Sequence, residues 1–152
     1  FPVETVGYMA RICENAEAHI ENKLSFDYKK EIGLTQTIAN GVVSSANMLN
    51  AKLIAASTIS GFTARKISNL RPNCPILAIC PNEDVCRELA LNYGVYTKVV
   101  PMLNTTDEVL EEALKSAKEF IPMQKKDVVV LTGGFPNTGI KKTTNLMKIE
   151  EI

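Results

Sequence analysis

Leu53-Ile54-Ala55-Ala56-Ser57-Thr58-Ile59-Ser60-Gly61-Phe62-Thr63-Ala64-Arg65-Lys66-Ile67-Ser68 changes character twice within one short stretch. It opens as an unbroken apolar run, the pattern of a strand buried on both faces. Hydroxyls and a glycine follow, and a helical pattern then begins. A buried strand turned by glycine into a helix is the unit from which a parallel α/β sheet is built. The stretch also poses a chemical question. Arg65 and Lys66 fall in the first turn of the expected helix, where the dipole favours negative charge.

The same alternation continues on the C-terminal side. Strands are expected at 52–56, 75–80, 95–100, 127–131 and 145–152, with helices at 63–70, 83–92 and 106–120 between them. The helix at 106–120 takes a cap near Thr105-Thr106-Asp107. On the N-terminal side, 2–22 reads as a helix, with Pro2 in its first turn and an apolar stripe through Val3, Val6, Met9 and Cys13. Residues 23–31 lack periodicity and read as a linker, and 34–50 as a second helix capped by Thr35 or a neighbour. The expected fold is a three-layer α/β/α domain with a five-stranded mixed sheet. No helix precedes the last strand, so it is expected as an antiparallel edge.

The 152 residues suit one domain with a proper core. Lysine plus arginine and aspartate plus glutamate each number 17, so the net charge is zero and gives no general attraction to nucleic acid or an anionic membrane. No apolar run approaches the roughly 20 residues of a membrane span. No secretory signal is read, and a first residue of Phe1 rather than Met points to a piece of something longer. Cys13, Cys74, Cys80 and Cys86 form no C-x-x-C pair, and the one histidine, His19, is distant in sequence. They are read as reduced, mostly buried thiols of a cytoplasmic protein rather than metal ligands. Glu111-Glu112 and Asp107-Glu108 read as a solvated helix face and a dipole-favoured first turn. No nucleophile–base pair or metal–phosphate cluster is found, so no catalytic residue is assigned.

Ligands of open α/β sheets bind beyond the strand C-termini where strand order reverses. With the order 3-2-1-4-5, that point lies between strands 1 and 4. The loop at 57–63 and the glycine-rich loop at 132–142 would meet there. Ser60 and Thr63 offer hydroxyls, and Gly61 lets the backbone come close. Free N–H groups of the helix start complete an anion cradle. Arg65, Lys66, Lys141 and Lys142 would add positive charge. The competing reading of Ser60-Gly61, a tight turn with a helix cap, stays open at this point.

Several motifs together resemble the C-terminal domain of the pyruvate kinase family. They are Pro2-Val3-Glu4-Thr5-Val6 with Met9-Ala10-Arg11-Ile12; Asn50-Ala51-Lys52; Ser60-Gly61-x-Thr63-Ala64-Arg65; Arg71-Pro72-Asn73-x-Pro75-Ile76; Gly94-Val95-Tyr96-Thr97; Thr106-Asp107-Glu108; and Thr143-Thr144-Asn145-Leu146. The resemblance is bacterial in style. It implies a junction helix and linker at 1–30, leaving a catalytic barrel, and the C-terminal domain at 31–152. It implies a parent enzyme that passes the phosphoryl group of phosphoenolpyruvate to ADP with magnesium and potassium, its catalytic residues lying before Phe1. It implies a homotetramer and a phosphorylated allosteric effector. Carried over residue by residue, Thr58, Ser60, Gly61, the backbone of Phe62, and Thr63 bind the effector phosphate. Gly133, Gly134, Pro136, Thr138, Gly139 and Lys141 belong to the effector loop. Ile59 and Phe62 depart from positions that are often polar or basic. The chain has no tryptophan, and 105–110 carries no cation for a second phosphate. A monophosphate such as ribose 5-phosphate or AMP is therefore expected at least as readily as a bisphosphate. The alternatives are a domain serving assembly alone, or a stand-alone phosphosugar-binding protein of the same fold.

Overall fold

The computed structural model describes residues 1–19, 33–135 and 144–152. In chain order the elements are α1 (Pro2–Glu17), α2 (Leu34–Met48), β1 (Leu53–Ser57), α3 (Phe62–Ser68), β2 (Ile76–Cys80), α4 (Glu83–Leu89), β3 (Val95–Val99), α5 (Thr106–Phe120), β4 (Val128–Gly133) and β5 (Leu146–Glu151). The sheet runs β3-β2-β1-β4-β5, as expected from the sequence. β1 is parallel to β2 and β4, and β2 to β3. β5 returns antiparallel to β4, with Val128 opposite Glu151 and Gly133 opposite Leu146.

The two-residue period of the strands explains the layers. Ile54, Ala56, Ile76 and Val130 face one way and pack with Ala39, Val42, Val43 and Ala46 of α2 and Ile67 of α3. Ala78 shares that side with Ala64 of α3 and Leu89 of α4. Their sequence neighbours Leu53, Ala55, Leu77, Ile79, Val129 and Leu131 face the opposite way, against Ala113 and Ala117 of α5. Helices α2, α3 and α4 thus cover one face and α5 the other. Every residue of β2 is buried, which is why it reads as an unbroken apolar run.

The helices are shorter than their sequence patterns. α1 stops at Glu17 and no residue of it is buried, so its apolar stripe is uncovered among the described residues. The linker read at 23–31 and the expected end of α1 at 20–22 lie outside them. α2 is capped by Gly33 with no side-chain bond, not by Thr35. α3 has seven residues, and Arg65 and Lys66 occupy its last turn. That resolves the conflict posed by the sequence, because cations favour the C-terminal end of a helix. The chain leaves α3 through Arg71, whose φ is 47°, just before Pro72. α4 ends at Leu89 rather than near residue 92. α5 keeps its expected bounds, because Thr105 and Glu108 form a reciprocal capping box.

Candidate functional site

The strand order reverses between β1 and β4, and their C-terminal ends lie side by side. Ala56 pairs with Thr132. A Cβ placed on Gly133 would stand 3.5 Å from the Cβ of Ser57 and 3.1 Å from the Phe135 ring. The two predicted loops therefore start from adjacent strand ends. Of the expected loop residues, Gly133 and Gly134 are described, while Pro136, Thr138, Gly139, Lys141 and Lys142 lie outside the described residues.

The turn after β1 is built around Gly61. Its φ of 74° is left-handed, and its α-face is filled by neighbours. A Cβ there would approach Leu89 Cδ2 to 3.1 Å and Arg65 Cζ to 3.4 Å. Thr58 donates its N–H to the Ile79 carbonyl at 2.9 Å, fixing the turn to β2. Thr58 is only 8% exposed, and its hydroxyl meets no partner among the described residues. The Ser60 hydroxyl likewise has none among them. Unpaired hydroxyls at a strand end are donors without an assignment, and a near-buried one has little water to satisfy it.

The cations near this turn are engaged. Arg65 donates from Nη1 to the Ser60 carbonyl at 3.1 Å and from Nη2 to Glu88 at 2.7 Å. Lys66 lies 5.5 Å from the centre of the Phe62 ring, a cation–π contact. Arg65 thus braces the turn from behind, and Glu88 neutralises it. Arg65 and Lys66, expected to lend positive charge to the anion cradle, each meet a neighbour: Arg65 meets Glu88, and Lys66 the Phe62 ring.

Thr63 is 6% exposed, and its Oγ1 lies 2.6 Å from the Oγ1 of Thr144, itself 1% exposed. The Thr144 N–H donates to Thr35 Oγ1 at 3.1 Å. So Thr35, one of the residues expected to cap α2, instead receives a residue 109 positions away. Next to it, Asn145 clips the Phe135 backbone at two points, accepting from its N–H at 2.8 Å and donating to its carbonyl. The Asn145 N–H donates to the Gly133 carbonyl at 3.1 Å. Glu88, Asn145 and the Thr35–Thr144 contact were not singled out from the sequence. The one available signal was the Thr143-Thr144-Asn145 motif.

Reactive side chains do not gather here. Burial pushes the Cys74 thiol up to about 11. Burial, with a contact from the Cys86 thiol, pushes Cys80 up to about 12. Both are protonated at neutral pH and poor nucleophiles. Cys80 and Cys86 are buried as expected, but Cys13 is exposed. His19 is exposed, with Nδ1 2.9 Å from the Asn15 carbonyl. Among the described residues no three His, Cys, Asp or Glu side chains group as a metal site, and no helix is long and apolar enough to cross a membrane.

The sequence profile described as "Pyruvate kinase, alpha/beta domain" matches residues 36–150. The chain belongs to the pyruvate kinase alpha/beta domain family. It is 38% identical over 157 residues to a pyruvate kinase of Clostridium perfringens, covering all of this chain and 33% of that protein. It is 39% identical over 155 residues to the Geobacillus stearothermophilus pyruvate kinase, covering all of this chain and 26% of that protein. A crystal structure of a Cryptosporidium parvum pyruvate kinase superposes with a TM-score of 0.77 at 32% identity, over 99% of this chain and 30% of that one. The chain thus spans a quarter to a third of the relatives it matches. The resemblance read from the motifs is confirmed, and both curated relatives are bacterial. Within this pyruvate kinase domain the Thr63–Thr144 contact joins the turn after β1 to the approach to β5.

Proposed function

We propose that this chain is the regulatory and assembly domain of a cytoplasmic pyruvate kinase, whose whole enzyme converts phosphoenolpyruvate and ADP to pyruvate and ATP. Its own task is to bind a phosphorylated effector at the turn between β1 and α3. The observation that carries this reading is the pair of hydroxyls, Thr58 and Ser60, that have no partner among the described residues at the point where strand order reverses. The phosphate sits on these hydroxyls, on Thr63 and on the N–H groups around Gly61 and Phe62. Gly133 and Gly134 begin the opposing wall, to which the sequence also assigns Pro136, Thr138, Gly139 and Lys141. The chain has no tryptophan and no cation at 105–110 for a second phosphate, which favours one phosphate over two. Magnesium and potassium belong to the reaction of the whole enzyme, and no residue of this chain is assigned to them.

The test is calorimetric titration of ribose 5-phosphate, AMP, glucose 6-phosphate and fructose 1,6-bisphosphate into wild type, Thr58→Val and Ser60→Ala. Each lost hydroxyl should weaken binding by about 1.5–3 kcal/mol, the range for hydrogen bonds to a charged group. Equal binding by wild type and both variants, or none below millimolar, would reduce the turn to a helix cap.

A further inference from the structure

Two buried hydroxyls 2.6 Å apart, Thr63 and Thr144, share one proton between them. A threonine hydroxyl carries one proton and two acceptor sites, so the pair holds a second proton that the contact does not use. Which hydroxyl donates is open until something outside the pair decides it. A deprotonated phosphate oxygen can only accept. One seated on Thr63 accepts its hydrogen bond, and Thr63 must then accept from Thr144.

We propose that Thr144 is a positioning residue for the phosphate site: it donates to Thr63, aligns that hydroxyl and strengthens it as a donor to the ligand. The inference rests on the phosphate reading above and adds a residue 81 positions away from Thr63 in sequence. Three observations support it. Thr144 is 1% exposed, so its hydroxyl is shielded from bulk water. The backbone of Thr144 is held independently of its hydroxyl, by its N–H on Thr35 Oγ1. The next residue is held by Asn145 N–H on the Gly133 carbonyl. The Thr144 backbone is thus anchored, and its hydroxyl already meets Thr63 with no ligand present. Without it, the Thr63 hydroxyl is free to turn toward the preceding backbone, the usual partner of a helical threonine. A chain running from hydroxyl to hydroxyl to anion is also polarised along its length, so each bond strengthens the next.

The probe is inorganic phosphate titrated at constant ionic strength against chloride. It is followed by the NMR shifts of the Gly61, Phe62, Thr63 and Ala64 amides in the full chain. Thr144→Val keeps the shape and the backbone bond but removes the hydroxyl. It is expected to weaken phosphate binding about fivefold, the effect of one net hydrogen bond. Thr144→Ser should bind like wild type. In the Thr63→Val background, Thr144→Val should have no further effect, since a positioning residue acts only through the group it positions. Unfolding midpoints of the same proteins separate loss of binding from loss of fold. Wild-type binding with unchanged Thr144→Val affinity, or losses that simply add in the double variant, overturns this inference alone. Wild-type amides that ignore phosphate overturn it together with the proposed function.

Discussion

Gly61 shows how one residue joins a fold to a site. Its left-handed backbone turns the chain from β1 into α3, and its missing side chain leaves room for Leu89 and the Arg65 guanidinium. Gly61→Ala is expected to cost about 1–2 kcal/mol from backbone strain alone, read by urea unfolding. The Leu89 contact adds to this. The glycine, the hydroxyls and their place in the turn were legible in the sequence, because strand, turn and helix each leave a local pattern. The partners were not. Arg65 finds Glu88 across 23 residues and Thr63 finds Thr144 across 81. Neither pairing follows from spacing, because the sheet topology brings them together. The question posed by Arg65 and Lys66 rested on the helix being longer than it is.

Among the elements, the strands were the most readable, since each buried run is apolar and ends at a polar or glycine signal. Helix lengths were less so. The apolar pattern of α3 runs on to Leu70, but Arg71 and Pro72 have already turned the chain. α5 kept its bounds because its start is written chemically. Thr105 accepts from the Glu108 N–H, and Glu108 Oε2 accepts from the Thr105 N–H. Thr105→Ala should destabilise the domain by about 1 kcal/mol, measured by thermal unfolding. The hydrogen bonds from the Thr105 and Asn104 backbone hold the Glu108 carboxyl below its ordinary value of 4.5. A depressed carboxylate stabilises fully above that ordinary value and loses its contribution as pH falls through the folded one. Wild type should therefore lose more stability than Glu108→Gln when unfolding is followed from neutral pH down into that acid window.

At the scale of the molecule the sheet has two edges of different character. On β3, Lys98 is tied to Glu119 at 2.5 Å and to Glu112 at 3.7 Å, a charge placed where it discourages strand addition. β5 exposes Met147 and Ile149, with Lys148 and Glu150 alternating between them. An antiparallel pairing of two β5 strands centred on Ile149 sets each Lys148 opposite a Glu150 of the other copy. Wild type is expected to self-associate in sedimentation at high concentration. Ile149→Lys, which puts like charges face to face, is expected to remain monomeric. A monomeric wild type would exclude this contact. The chain corresponds to 33% or less of the two curated relatives compared above, and residues 36–150 of it to the alpha/beta domain. A lactate-coupled assay with phosphoenolpyruvate, ADP, magnesium and potassium should read blank for it. The Asn145 clip has a consequence for design. Gly133 and Phe135, at the end of β4, are tied by hydrogen bonds to Asn145, just before β5. A foreign peptide or reporter module spliced between Phe135 and Thr144 would therefore join the domain next to residues already tied to one another. The β4–β5 pairing is expected to survive such an insertion.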